Sequence, residues 1–204
     1  SDVYKRQIND VVLSEENRIF IKKIMKKNIY PNMIFYGPPG TGKTTTALCI
    51  LNAYCKKYDS KGNYIHLNAS HQRGIDIIRD QIQKFTQTKN FFESSKKFVL
   101  LDEIDSMTKQ AQRSLYKIIE NTNQEVCFIL ICNYFNKIID RLKSLLIVLS
   151  FRNTTQNGSS FIRKCCKNEG IKIQKNKIDE IIGAYRHDLR SVINAIQNND
   201  HNDT

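Results

Sequence analysis

The pattern G-x-x-x-x-G-K-[ST] occupies Gly37-Pro38-Pro39-Gly40-Thr41-Gly42-Lys43-Thr44, with Thr45 directly after it. Residues of these types at this spacing bind phosphate. The glycines let successive backbone N–H groups curve around an anion, and a following helix N-terminus adds favourable partial charge. The Lys43 ammonium is suited to outer phosphates, and the Thr44 hydroxyl to Mg²⁺. A second cluster, Asp102-Glu103, ends an apolar run. An aspartate there can hold the ion's coordination shell, and the glutamate can orient or deprotonate an attacking water. Asn133 ends another apolar run and can polarise that water or touch a γ-phosphate; read alone, it also suits a turn. Arg190 can report on γ-phosphate charge; read alone, it also suits a solvated surface.

These groups need a scaffold that gathers them. Met33–Tyr36 predicts a buried strand before the loop, and Thr45–Leu51 a helix after it, the context the motif requires. Further strands are predicted at Tyr64–Asn68, Phe98–Glu103, Glu125–Asn133 and Leu145–Phe151. Helices are predicted at Glu15–Lys27, capped by Ser14, at Ile75–Phe85 and at Lys109–Asn121. Strands alternating with helices make an α/β fold with a parallel sheet flanked by helices. Ligand groups then collect at the carboxyl ends of the strands, where Gly37, Asp102 and Asn133 all fall. Beyond residue 152 the pattern changes. Asn153–Gly158 reads as a polar joint, followed by helices at Phe161–Lys167, Lys175–Tyr185 and Asp188–Gln197 and a tail expected to fray from Asn198. The expected division is a P-loop ATPase domain over 1–152 and a small helical lid domain over 153–204.

The 204 residues carry a net charge of +12, with 40% hydrophobic and 25% charged residues. That balance suits a globular protein with a phosphate-backbone partner, although a lysine- and asparagine-rich genome gives the same excess. No apolar run approaches the roughly 20 residues of a membrane span, and the polar N-terminus lacks a signal-peptide core. The expectation is an intracellular protein with no membrane partner. The six cysteines show no paired C-x-x-C spacing and read as buried thiols rather than metal ligands or disulfides.

Together these residues resemble the AAA+ ATPases, and within them the small subunits of replication factor C, the sliding-clamp loader. Asn32–Thr44 is very like that family's P-loop strand. Leu101-Asp102-Glu103-Ile104-Asp105-Ser106-Met107-Thr108 with Ala111-Gln112 is the most specific run. Leu67-Asn68-Ala69-Ser70 with Arg73-Gly74-Ile75-Asp76 is also similar, with His71 and Gln72 where acidic residues are usual. Cys132-Asn133 matches the sensor-1 strand. Asp188-Leu189-Arg190 resembles sensor 2, with His187 in place of glycine. Tyr4-Lys5-Arg6 and Asp10-Val11-Val12 look like the adenine-side segment, without its usual proline, which makes Val11 and Val12 nucleotide contacts.

The resemblance implies ATP and Mg²⁺ as cofactors, Thr44 and Asp102 as ion ligands, and Lys43, Glu103, Asn133 and Arg190 as catalytic residues. It implies a hetero-pentamer of clamp-loader subunits, a sliding clamp and primer–template DNA as partners, and a nuclear location in a eukaryote. Hydrolysis in the isolated chain is expected to be weak. Arg79, Ser106, Thr108, Lys109 and Arg113 are the expected DNA contacts by shape and charge; each also suits a solvated face. Asn68 is a candidate to restrain Glu103. A third, collar-forming helical domain is expected to be missing from this sequence. One departure stands out. The family's Ser-Arg-Cys, whose arginine acts in a neighbour's ATP site, is Ser144-Leu145-Leu146 here, with Arg141 and Lys143 nearby but out of register; a local insertion that moves Arg141 or Arg152 into place is the alternative. Two rival readings remain: another AAA+ DNA machine, such as a branch-migration helicase or origin loader, and an ATP-holding scaffold subunit with little turnover.

Overall fold

Five short apolar runs form one parallel sheet. β1 (Met33–Tyr36), β2 (Tyr64–Asn68), β3 (Lys97–Asp102), β4 (Val126–Cys132) and β5 (Ile147–Ser150) lie in the order β2-β3-β4-β1-β5. Every described pair is parallel, with Ile34 beside both Leu130 and Val148, and Asn68 beside Asp102. The computed structural model describes residues 11–58, 62–70, 75–87, 96–123, 125–152, 155–169, 175–185 and 188–200. The readings at Tyr4–Arg6, Asp10, His71–Gly74 and His187 lie outside these residues.

Helices cover both faces of the sheet: α1 (Glu15–Lys27), α2 (Lys43–Lys57), α3 (Ile75–Gln87), α4 (Lys109–Asn121) and the short α5 (Asp140–Lys143). Side chains alternate across a strand, so each strand feeds two cores. Met33, Phe35, Phe98, Leu100, Ile129 and Ile131 pack with α1 and α2. Ile34, Val99, Leu101, Phe128 and Leu130 pack with α3 and α4. Burial on both faces explains why β3 and β4 read as unbroken apolar runs. Ser14 caps α1 by accepting from the Asn17 N–H, as its position predicts, and Asn17 donates in turn to the Ser150 carbonyl at 2.7 Å, tying α1 to β5.

The remaining helices, α6 (Thr155–Glu169), α7 (Lys175–Ala184) and α8 (Leu189–Asp200), gather their own core of Ile162, Cys166, Ile178, Ile182, Leu189, Val192 and Ile196. Three sequence expectations shift here. The polar stretch read as a joint is helical from Thr155, and Gly158 sits inside α6 because a Cβ there would lie 3.2 Å from the Leu189 side chain. Helix packing, not a turn, uses that glycine. The α8 helix runs on to Asp200, because backbone hydrogen bonding needs no apolar periodicity. Finally, β5 begins at Ile147, since the Leu145 and Leu146 N–H groups bond back to the Leu142 and Lys143 carbonyls and extend the α5 turn.

Candidate nucleotide site

The loop between β1 and α2 turns on positive-φ glycines: Gly37, Gly40 and Gly42 at 149°, 70° and 86°. Two of them are also pinned by packing. A Cβ on Gly37 would fall 2.0 Å from the Phe151 carbonyl oxygen, and one on Gly40 would fall 1.7 Å from Asp188 Oδ1. Gly42 enters α2 with no side-chain cap. The first N–H groups of α2 therefore lack a side-chain partner, which is the arrangement that receives an anion.

Lys43 is buried, and its ammonium donates to the Gly37 and Pro38 carbonyls, each at 2.7 Å. Burial lowers its pKa, opposed by Asp102, Cys132 and Asp105 and reinforced by Arg190. Thr41 Oγ1 also donates to the Pro38 carbonyl, at 2.8 Å. The loop is thus shaped by its own polar side chains.

Strand alternation brings Asp102 to this loop. It shares a parity with Phe98 and Leu100, so it faces α2. There its Oδ2 accepts the Thr44 hydroxyl at 2.8 Å, while its Oδ1 accepts the Glu103 N–H at 2.9 Å. Burial pushes the Asp102 carboxyl upward, but His66, Thr44 and the Glu103 N–H outweigh it and hold the pKa below the usual carboxylate value. Thr44 Oγ1 and Asp102 Oδ2 are hard oxygen donors side by side, which fits Mg²⁺. Glu103 adopts a left-handed backbone at φ 57°. For a non-glycine residue this conformation is sparsely populated and recurs at functional sites.

Asn133 follows the alternation of Ile129 and Ile131 and so falls on the α2 side. Asp105 fixes its position: Oδ2 accepts the Asn133 N–H at 3.3 Å and the Tyr134 N–H at 3.1 Å. Buried Gln112 secures the same corner, donating to the Met107 and Lys137 carbonyls and accepting the Ile139 N–H. The head of α8 lines the other side. Asp188 Oδ1 accepts the Arg190 and Ser191 N–H groups at the head of α8 while resting on Gly40.

One cleft of about 470 Å³ collects Pro39, Gly40, Thr41, Gly42, Lys43, Thr44 and Thr45 with Asp102, Glu103, Asn133 and Arg190. Val11 and Val12 line its other wall. Val11 packs into the α1–α2 core and Val12 against the α6–α8 core, and Arg18 holds the segment by donating to the Val11 carbonyl at 3.1 Å. Gly37 and Pro38 shape the loop from behind rather than lining the cleft. Leu189, quoted only as part of the Asp188–Arg190 motif, also lines it, as do Phe161, Ile193 and Asn194, which sequence reading missed. Only helical spacing signals Phe161, Ile193 and Asn194, and that spacing cannot say which face meets the loop. Asp105 and Gln112 lie in the quoted motifs, but their positioning roles need three-dimensional partners.

The other candidates lie elsewhere. Asn68 Oδ1 accepts from the Ser70 N–H and hydroxyl, at 2.8 and 2.7 Å. Ser106 Oγ donates to the Glu103 carbonyl, and Thr108 Oγ1 caps α4 by accepting the Ala111 N–H. Lys109 and Arg113 are exposed on α4. Arg79 on α3 pairs with Asp76 and Asp80, and lines a groove between α3 and α4 that holds none of the phosphate-loop residues. Leu145 is half-buried and Leu146 buried against the α4-side core, whereas Arg141 and Arg152 are exposed.

Residues 33–152 match the family model described as "ATPase family associated with various cellular activities (AAA)". The chain belongs to the AAA ATPase family. Membership supports nucleotide binding and ATPase chemistry in general, and the strand–loop–helix geometry above supplies the cradle. This AAA chain is similar to Replication factor C small subunit 2 of Pyrobaculum islandicum, with 36% identity over 193 residues, 94% of this chain and 60% of that protein. It is equally similar to Replication factor C small subunit of Methanocella arvoryzae, with 36% identity over 195 residues and the same shares of each chain. The chain spans about three fifths of the length of these curated relatives. Among solved structures, a Thermotoga maritima RuvB mutant superposes with a TM-score of 0.72 at 17% identity, covering 97% of this chain and 65% of that one. At that identity the likeness is one of fold. No described helix of this AAA chain is long and apolar enough to cross a membrane.

The contact between Gly40 and Asp188 gives a test of how the loop and α8 are coupled. Gly40→Ala adds left-handed strain of roughly 1–2 kcal/mol. It also displaces the carboxylate that caps α8, worth about 0.5–2 kcal/mol. The variant should unfold at lower denaturant with an unchanged m-value and lose nucleotide affinity. A variant as stable and as tight-binding as the parent would remove Asp188 from the loop.

Proposed function

We propose that this chain is an ATP-hydrolysing subunit of a sliding-clamp loader, acting on primer–template DNA. The observation that carries the reading is the convergence of Lys43, Thr44, Asp102, Glu103, Asn133 and Arg190 on one cleft, in a chain similar to replication factor C small subunits.

In this reading the loop N–H groups and Lys43 hold the phosphates, with the ammonium exchanging a loop carbonyl for a phosphate oxygen. Thr44 and Asp102 hold Mg²⁺, which when bound neutralises phosphate charge. Glu103 accepts a proton from the attacking water, and its left-handed backbone aims the carboxylate off the end of β3. Asn133, fixed by Asp105, orients that water. Arg190 carries the lid's response to γ-phosphate charge, transmitted to Gly40 by the capped head of α8. Nucleotide binding thereby sets the angle between residues 1–152 and the lid at 153–204, which orders neighbouring subunits around the DNA.

The head of α4, with Ser106, Thr108, Lys109 and Arg113, faces the DNA backbone in this reading, together with Arg79. Arg79 must exchange its aspartate partners for phosphate, so its contribution is smaller than that of Arg113. Leu145 supplies no catalytic arginine to a neighbour. The site completed by this subunit's far edge therefore turns over slowly, which confines the scaffold reading to that neighbouring site. The role implies an intracellular location; the archaeal relatives give a nuclear address no support.

Co-expression with the partner subunits tests the assignment. The expected product is a hetero-oligomer that binds primed DNA with a steep salt dependence. Arg113→Ala should reduce the affinity and lower the salt slope by about one unit. A homo-hexamer, or DNA affinity indifferent to Arg113 and salt, would overturn the clamp-loader reading.

A further inference from the structure

The cleft that collects the phosphate-loop residues has a second wall of different character. Val12, Phe161, Leu189 and Ile193 line it, and all four belong to or pack against the α6–α8 core. Val12, Phe161 and Ile193 are only half-buried, so apolar surface is left facing the cleft. Such a surface suits a flat, weakly hydrated ring, with a few placed polar groups to fix its orientation.

The α8 helix runs outward along this wall. At its head Asp188 rests on Gly40 of the phosphate loop. Arg190 and Asn194 both line the cleft, and at four residues apart they share a helix face, with Cβ atoms roughly 6 Å from one another. Leu189 and Ile193 repeat the same spacing. The polar group nearer the loop is therefore a guanidinium, suited to phosphate. The polar group one turn farther out is a neutral amide, set beside apolar Ile193.

A side-chain amide carries both donors and an acceptor. The N6/N7 edge of adenine presents an amine donor beside a ring acceptor, the pair that asparagine matches, whereas the same edge of guanine presents two acceptors. Asn194 is exposed on α8, so its amide can meet a ring lying on the apolar wall without displacing the core.

We propose that Asn194 reads the amine-bearing edge of adenine, and so makes the cleft select ATP over nucleotides that lack the 6-amine. The inference rests on the proposed nucleotide reading of the cleft.

The probes are the non-hydrolysable imido-triphosphates of adenosine and of purine riboside, whose bases differ by the amine alone. Their affinities are measured by calorimetry with Mg²⁺. The parent protein should bind the adenosine compound about fivefold more tightly, the low end for an asparagine–adenine pair because Asn194 is exposed. Asn194→Leu should bring the two affinities together. Asn194→Asp keeps an acceptor for the amine and should retain the preference, while its charge weakens both compounds alike. A preference that is absent from the parent, unchanged in Asn194→Leu, or lost in both variants would overturn the role of Asn194 and leave the nucleotide reading standing. If the parent binds neither compound, both fall together.

Discussion

Glu103→Gln should leave the assembled protein able to bind ATP but slow hydrolysis at this subunit's site by about 10²–10⁴-fold. The glutamine keeps the size of the side chain and its polarity but cannot accept a proton. Glu103 is half-buried, one residue beyond β3, with its N–H bound to Asp102 Oδ1 and its backbone left-handed. Because that backbone is set by Asp102 and by the turn through Ile104–Ser106, the substitution should not disturb the fold. The outcome to measure is single-turnover hydrolysis beside equilibrium ATP affinity. Equal losses in both would mean that the side chain binds nucleotide; no loss in turnover would place the base elsewhere.

Lys43→Met should have the opposite profile, with binding lost and the fold strengthened. Charge-assisted hydrogen bonds contribute roughly 1.5–3 kcal/mol each, so removing the ammonium should weaken ATP binding by at least tenfold. The apo protein, however, gains. Burial lowers the Lys43 pKa, so the folded state disfavours the cation. The sign is that of a depressed cationic group. Between the folded pKa and the usual 10.5 the unfolded chain binds the extra proton, so stability rises with pH across that window. Lys43→Met removes the penalty and that portion of the pH dependence. Calorimetry from neutral to alkaline pH should show the variant more stable near neutrality, with the difference shrinking as pH rises. A less stable variant would mean that the bonds to Gly37 and Pro38 outweigh the burial of charge.

The sheet and the phosphate loop were legible in the sequence because they rest on local signals. Short unbroken apolar runs bounded by turn residues read as interior strands, and a glycine pattern between strand and helix has few other uses. Ser14 announced its helix because capping is a contact of three residues, whereas Thr108, read as a DNA contact, proves to cap α4 in the same way. The misreadings have one cause. Gly158 looked like a turn because a glycine required by packing against Leu189 cannot be told from one required by φ. Leu145 and Leu146 looked like strand because apolar residues in a turn under a core read the same as those in a sheet. The cleft wall made by Phe161 and Ile193 depends on how α6–α8 dock, and no local pattern encodes that.

The role claimed for this chain is coupling: ATP turnover in its cleft should answer to clamp and DNA. The direct measurement is the steady-state ATPase rate of the chain assembled with its partner subunits, taken before and after adding clamp and primed DNA, in parent and Glu103→Gln assemblies. The account predicts a rate that clamp and DNA raise together, with the increment reduced by Glu103→Gln. A rate unmoved by clamp and DNA, or an increment identical in the two assemblies, would contradict it.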